Sequence, residues 1–142
     1  MTTAIHPPRP PPVRLTETDY NQLADLAEAL QTEGGALLRR ELDRARLVRE
    51  PRPGAVPFVR LGSHVEYRDL LSGRTRQVEI VLPAEADVDA GRLSVAAPAG
   101  AALIGLSAGD AFSWTAAGGR PHAVVVEWVR DPVPGAPAPE AA

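Results

Sequence analysis

Three residues, Gly105, Ser107 and Gly109, are spaced like the nucleophile elbow of serine hydrolases, where a serine on a sharp turn attacks a carbonyl group. Asp110 and His122 follow in the chain order that such a serine needs for its acid and base. An elbow also needs a sizeable α/β sheet beneath it, whereas this segment follows a predicted short helix and precedes a predicted strand. We therefore interpret it as a turn in which Gly105 ends the helix.

Other catalytic and metal-binding patterns are incomplete. His6, His64 and His122 are far apart in the sequence and show no metal-ligand spacing. The chain has no cysteine, which excludes disulfides, thiolate metal sites and a cysteine nucleophile. Gly118 and Gly119 lack the lysine and hydroxyl residue of a phosphate-binding loop. We predict no catalytic residue, metal, cofactor or small-molecule substrate.

The composition limits the class of partner. The chain has 142 residues, and all 15 of its basic residues are arginine, yet its net charge is −3, so it has no global field for capturing DNA or an anionic membrane. The first residues show no targeting peptide. The longest weakly polar stretch, residues 93–109, is rich in alanine and glycine and contains Pro98, which is unlike a membrane-spanning helix. These features predict a cytoplasmic protein.

Prolines divide the chain into segments. Residues 1–13 and 131–142 are rich in proline and poor in large apolar side chains, which predicts disordered tails. Residues 51–57 form a third proline-rich segment, predicted to be a linker. The expected organisation is a first unit over residues 14–50 and a second unit over residues 58–130.

The first unit has helical periodicity. Thr16 is a candidate N-cap, and apolar residues recur at three- and four-residue spacing from Tyr20 to Leu30. Gly34 and Gly35 are expected to form a turn, after which a second helix should run from Ala36 to Val48. The prediction is a short antiparallel helical hairpin, resembling a coiled coil.

The two predicted arms differ in charge. The first arm contains acidic residues and no arginine, whereas the second is rich in arginine. An antiparallel hairpin would place these arginines beside the acidic arm, although an arginine-rich helix is also a candidate nucleic-acid surface. The arginines of the second arm are Arg39, Arg40, Arg44, Arg46 and Arg49.

The second unit alternates apolar and polar residues, which is typical of strands. One predicted hairpin places Val65 and Tyr67 opposite a strand that contains Val78 and Ile80. A second hairpin turns at Gly118 and Gly119, and between the two we expect one short helix from Ala99 to Gly105. The predicted fold class is α+β.

The segment from Leu93 to Asp110 resembles the signature of the C-terminal domain of Gre-type transcription elongation factors. The flanking segments Leu61–Val65, Ser72–Gly73 and Pro83–Asp87 are similar to that family as well. The resemblance implies an FKBP-like fold, an antiparallel sheet wrapped on a short helix. The short first unit resembles the branch called regulator of nucleoside diphosphate kinase, whose members are similar to Gre factors with a shortened coiled coil.

The resemblance also implies a partner. Gre factors dock on bacterial RNA polymerase partly through the loop that enters the short helix, which maps here onto Ala96, Ala97, Pro98, Ala99 and Gly100. Their long hairpin enters the secondary channel, where acidic tip residues help to hold a magnesium ion for transcript cleavage. The tip expected here is Gln31, Thr32, Glu33, Gly34 and Gly35, with a single acid.

These observations lead to one functional hypothesis and two alternatives. The chain is expected to be a non-catalytic transcription regulator that binds RNA polymerase near the secondary channel and competes with longer-armed Gre-type factors, with nucleic acid involved at most indirectly and no membrane contact. The first alternative is an FKBP-like peptidyl-prolyl isomerase, for which the aromatic residues are few. The second is a nucleic-acid-binding module that uses the arginine-rich second helix.

Overall fold

A computed structural model describes residues 12–49, 55–116 and 118–132 of the chain. Residues 1–11 of the predicted first tail (1–13) and residues 133–142 of the predicted last tail (131–142) lie outside the described residues, as do residues 50–54, which include most of the predicted linker. The helices and strands are, in chain order, β1 (Val13–Thr16), α1 (Glu17–Ala29), α2 (Glu33–Asp43), β2 (Ala45–Val48), β3 (His64–Asp69), β4 (Thr75–Val81), β5 (Arg92–Ser94), α3 (Pro98–Leu103), β6 (Ala111–Thr115) and β7 (Pro121–Arg130).

Helix α1 begins where the sequence predicts, because the Thr16 hydroxyl accepts the N–H of Asp19 at 3.3 Å. The predicted turn at the two glycines is wrong. Thr32 caps α2 by accepting the N–H of Gly35 at 3.0 Å, so Gly34 and Gly35 lie in the first turn of this helix. The connection between the helices is residues 30–32.

The predicted end of the second helix is also wrong. Helix α2 stops at Asp43, and the four residues Ala45–Val48 form β2, which pairs in parallel with β1. Val13, expected in a disordered tail, is the first residue of β1 and is fully buried. The N–H of Arg14 donates to the carbonyl oxygen of Gly105 at 3.1 Å, so β1 is held between β2 and the segment that follows α3.

The second region contains a five-stranded sheet in the order β5-β4-β3-β7-β6. Both predicted hairpins are confirmed, and β7 lies inside the sheet, as its apolar sequence predicts. Three of the four strand pairings are antiparallel, as expected, whereas β5 pairs with β4 in parallel, which the prediction of an antiparallel sheet did not include. The α+β class is confirmed.

A single hydrophobic core joins both regions. Leu23 and Leu38 of the helical pair are fully buried in the same cluster as Ile80 and Val126 of the sheet, with Leu103 of α3 among them. The predicted linker therefore does not separate two cores. No helix among the described residues is long and apolar enough to cross a membrane.

Candidate functional site

The loop that enters α3 is shaped by Ser94. Its hydroxyl accepts the N–H of Ala96 at 3.0 Å, and its carbonyl oxygen accepts the N–H of Ala97 at 3.0 Å. Pro98 then begins the helix, at a position where a backbone N–H would have no intrahelical partner. Of the five residues predicted to contact a partner, the four from Ala96 to Ala99 are half-buried.

Gly100, the fifth predicted contact residue, is buried. A Cβ atom at this position would lie 2.1 Å from the carbonyl oxygen of Ser94, which is far inside van der Waals contact. The glycine therefore allows α3 to pack against the backbone of β5. Any contribution of Gly100 to docking acts through the shape of the loop.

The predicted hairpin tip lies against this same loop. A Cβ atom on Gly34 would stand 1.7 Å from the carbonyl oxygen of Ala96, so the first turn of α2 and the loop touch backbone to backbone. Gly34 and Gly35 are buried, whereas Gln31, Thr32 and Glu33 are exposed. The structure thus brings the two sequence-predicted sites together into one surface, which we call the tip-loop surface (residues 31–35 and 96–100).

Charged side chains link the helical pair to its surroundings. Glu41 and Arg44 form an ion pair at 2.7 Å, and the Arg44 guanidinium lies 5.4 Å from the centre of the Phe112 ring in β6. At the start of α1, Asp19 pairs with Arg60 at 3.5 Å. Because Glu41 is almost entirely buried, desolvation raises the pKa of its carboxyl, while Arg44 opposes this increase.

Arg39 connects the two helices in a way that the charge pattern did not predict. Its guanidinium donates to the carbonyl oxygens of Ala27 and Leu30, which are at and just beyond the end of α1. The last carbonyls of a helix lack the usual N–H partner four residues on, and here Ala27 accepts only the long bond from the N–H of Leu30 at 3.4 Å, so a cation at this end is favourable. This arginine of the second arm therefore joins the first arm through its backbone carbonyls.

A cleft of about 260 Å³ opens beside the tip-loop surface, and its residues were not identified from the sequence. The cleft reaches from the helices to the inner face of the sheet. Its lining includes Glu33, Pro98 and Ala99 of the tip-loop surface, and Tyr67, Asp69, Ser72, Arg74, Arg76, Trp114, His122, Ala123 and Val124 of the sheet region.

Strand register explains why these residues meet. Tyr67 stands opposite Arg76, and Trp114 stands opposite His122, so each pair shares one face of the sheet. The Trp114 and His122 rings are stacked, with centroids 5.3 Å apart and planes at 16°. The alternating pattern could have assigned each residue to a face of the sheet. It does not predict which strands are neighbours.

Hydrogen bonds and burial set the electrostatics of the cleft. The carboxylate of Asp69 accepts the backbone N–H groups of Leu71 and Ser72, at 2.8 and 3.2 Å, and these bonds lower its pKa. Burial raises the pKa of the Tyr67 hydroxyl. Asp69 is therefore an ionised carboxylate at neutral pH, while the Tyr67 hydroxyl is protonated.

Ser107 lies elsewhere, in a structural hydrogen-bond network. Its N–H donates to the Asp110 carboxylate at 2.8 Å, and its hydroxyl accepts from the Arg14 guanidinium at 3.3 Å. Ser107 lines a different cavity from His122. This geometry agrees with the turn predicted for the segment. The described residues include no group of three or more histidine or acidic side chains placed to hold a metal ion.

Comparisons with known proteins find a family and relatives that this chain is similar to. Residues 55–130 match the family model "Transcription elongation factor, GreA/GreB, C-term". A regulator of nucleoside diphosphate kinase from Escherichia coli is 40% identical over 91 residues, which is 63% of this chain and 66% of the relative, slightly less than two thirds of its length. The transcription inhibitor protein Gfh1 of Thermus thermophilus is 41% identical over 81 residues, or 56% of this chain and 50% of the relative.

A solved structure extends the likeness to the helical region. The GreA/GreB-type elongation factor from Nitrosomonas europaea is 31% identical and has a TM-score of 0.63, and the match covers 85% of this chain and 99% of that one. The resemblance that the sequence showed is thereby confirmed, and the chain belongs to the GreA/GreB family of transcription elongation factors.

Proposed function

We propose that this protein is a cytoplasmic regulator that binds bacterial RNA polymerase near its secondary channel without cleaving transcripts, and that it competes there with Gre-type factors that carry a longer hairpin. Family membership supports the choice of partner. The name of the Thermus thermophilus relative, a transcription inhibitor, supports an inhibitory outcome. We also propose that the sheet region has an FKBP-like fold.

The observation that carries the proposal is the seating of the hairpin tip on the loop before α3. Helix α1 has 13 residues and α2 has 11. At about 1.5 Å per residue, the longer helix extends only roughly 20 Å. Because Gly34 packs against Ala96, the tip lies beside the proposed docking loop and does not project away from it. A hairpin held in this way would occupy a polymerase surface without reaching a distant active site.

The chemistry of the tip points the same way. Glu33 is the single acidic residue among Gln31 to Gly35, and it lies in the first turn of α2. A single carboxylate is a poor template for the second metal ion of two-metal chemistry, which needs further ligands to fix its position. The tip therefore offers at most one carboxylate to such an ion, which favours binding without cleavage.

The proposed docking surface is small and apolar. Ala96, Ala97 and Ala99 carry only methyl groups, and Pro98 adds a rigid ring. Such a surface gains affinity from shape and apolar burial, so a large charged side chain placed there should disrupt it.

Retention on purified polymerase core enzyme tests the proposal. The wild-type chain should be retained at a salt concentration where a Gre factor also binds, and Ala97→Arg should weaken retention at least several-fold. Ala90→Arg is the control, because it makes the same change at another alanine. Ala90 is exposed and lines a different groove, with His64 and Trp128. No retention of the wild type, or equal loss in both variants, would contradict the proposal.

A transcript cleavage assay tests the competition. The chain alone should give no cleavage by a stalled complex, and an excess of it should reduce the cleavage that a Gre factor stimulates. Ala97→Arg should lose this inhibition in proportion to its weaker retention. Stimulation of cleavage by the chain alone would show that the proposed mechanism is wrong.

A further inference from the structure

The cleft beside the tip-loop surface exists because α3 is much shorter than the sheet that it covers. Helix α3 has six residues and β7 has ten. These correspond to about 9 Å of helix and about 33 Å of strand. The inner face of the sheet therefore continues past the helix. The cleft there is lined by Arg76 and His122 of the sheet and by Arg74 of the β3–β4 turn, alongside apolar side chains such as Val124.

Two arginines supply positive charge to this cleft. Arg74 and Arg76 are exposed, and neither guanidinium forms an ion pair within the part of the chain that the structure describes. A guanidinium is a planar group with five N–H donors, which matches the two oxygens of a carboxylate.

An aromatic pair also lines the cleft. The Trp114 and His122 rings are stacked there, with centroids 5.3 Å apart. The indole Nε1 atom of Trp114 is itself covered by protein atoms, so it is closed to a ligand oxygen. The indole is therefore a reporter of what enters the cleft, and the arginines are the available donors of the cleft.

Two carboxylates, of Glu33 and Asp69, also line the cleft, so the formal charges of the two arginines and the two acids cancel. Oxygen Oδ1 of Asp69 already accepts two backbone N–H groups. Neither arginine side chain has a hydrogen-bond acceptor among the described residues, so an acceptor-rich ligand would supply what these two donors lack.

Size and surroundings favour a side chain of a protein over a free metabolite. A volume of about 260 Å³ is below the 300 to 1,000 Å³ that is usual, as an order of magnitude, for small-molecule sites. Leu70 and Leu71, next to Asp69 in the β3–β4 turn, are 47% and 62% exposed. Apolar side chains left in solvent beside a polar cleft are typical of protein-binding surfaces.

We propose that this cleft receives an acidic side chain of a protein partner, whose carboxylate pairs with Arg74 and Arg76. The inference rests on the proposed function, since the cleft shares Pro98, Ala99 and Glu33 with the tip-loop surface. It adds the chemistry that the partner must present, which is a glutamate or aspartate placed beside an apolar contact.

Tryptophan fluorescence gives a direct test, since the chain has two tryptophans and Trp128 lies on the other face of the sheet. In Trp128→Phe protein, a capped oligoglutamate peptide should change Trp114 emission and saturate. An oligoglutamine peptide of equal length should not. Arg74→Gln combined with Arg76→Gln should weaken binding roughly tenfold or more, whereas Arg130→Gln, a control at an exposed arginine on the other face, should leave it unchanged.

Three results would overturn the inference: no change in Trp114 emission, equal affinity in the double variant, or an equal response to inorganic phosphate, which would indicate a general anion site. Thermal unfolding of each variant checks that it is folded. Polymerase retention of the wild type is measured in parallel. If the wild type is retained on polymerase but does not respond to the peptide, only the proposed role of the cleft is refuted. If the wild type is not retained, the proposed function is refuted.

Discussion

The helical region (residues 13–48) and the sheet region (residues 58–130) differ in the contacts that hold each of them in place. Most strands of the sheet pair with strands nearby in sequence, as in the β3–β4 and β6–β7 hairpins. The helical region depends on distant contacts, since Gly34 lies against Ala96 and Arg14 bonds to Gly105. The helices are therefore a part of the shared core and not an independent arm.

The largest expected effect comes from removing one core side chain in each region. Leu38 of α2 and Ile80 of β4 are both fully buried. Leu38→Ala and Ile80→Ala should each lower the free energy of unfolding by about 2 to 5 kcal/mol. Because both tryptophans lie in the sheet region, chemical denaturation followed by tryptophan fluorescence should report both losses in one transition. A fluorescence transition that Leu38→Ala leaves unchanged would show an independent arm.

The backbone contact between the two regions should give the next largest effect. Gly34→Ala places a methyl group against the carbonyl oxygen of Ala96 and should cost about 1 to 3 kcal/mol of unfolding free energy, although alanine favours a helix. Asp43→Ala, at an exposed site of the same helix, is the control, with an expected change within about 0.5 kcal/mol. A more stable Gly34→Ala protein would mean that the tip stands clear of the loop.

The helix caps sharpen the comparison at a smaller scale. Thr16→Ala and Thr32→Ala should each cost about 1 kcal/mol, since each hydroxyl accepts a backbone N–H at a helix start. Thermal unfolding measures both losses. Thr18→Ala, at an exposed position within α1, is the control and should be close to neutral. A neutral Thr32→Ala would contradict the helix start at Glu33.

The smallest effect concerns the pH dependence of stability. Burial raises the pKa of the Glu41 carboxyl in the folded protein, so the folded state binds its proton more tightly than the unfolded chain does. The contribution of Glu41 to stability is therefore fully present below about pH 4.5 and is lost as the pH rises through the raised pKa. Glu41→Gln should remove this decline in denaturation curves collected across that window, and an unchanged pH profile would contradict the assignment.

The sheet region was largely predictable from the sequence. Alternation around Val65 and Tyr67 and around Val124 and Val126 identified both hairpins, because one buried face imposes a period of two residues. The parallel pairing of β5 was not predictable, because a strand of three residues carries too little pattern to define its partner.

The helical region was predicted only in outline. The cap at Thr16 fixed the start of α1, but the residues from Ala45 to Val48 continue a helical pattern and nevertheless form a strand. Their conformation is set by pairing with β1, which is far away in sequence. The glycines were recognised, yet their role as close-packing residues depends on Ala96, which no local pattern indicates.

The candidate site divides in the same way. The sequence by itself determined the family, the α+β class and the two short segments proposed to meet a partner, because these depend on local motifs and on periodicity. Only the tertiary structure decided that the two segments form one surface and that Arg74, Arg76 and Trp114 share a cleft beside it. The physical reason is that packing between elements, unlike periodicity within one, depends on which backbones can approach each other, and here the missing side chain of Gly34 permits that approach.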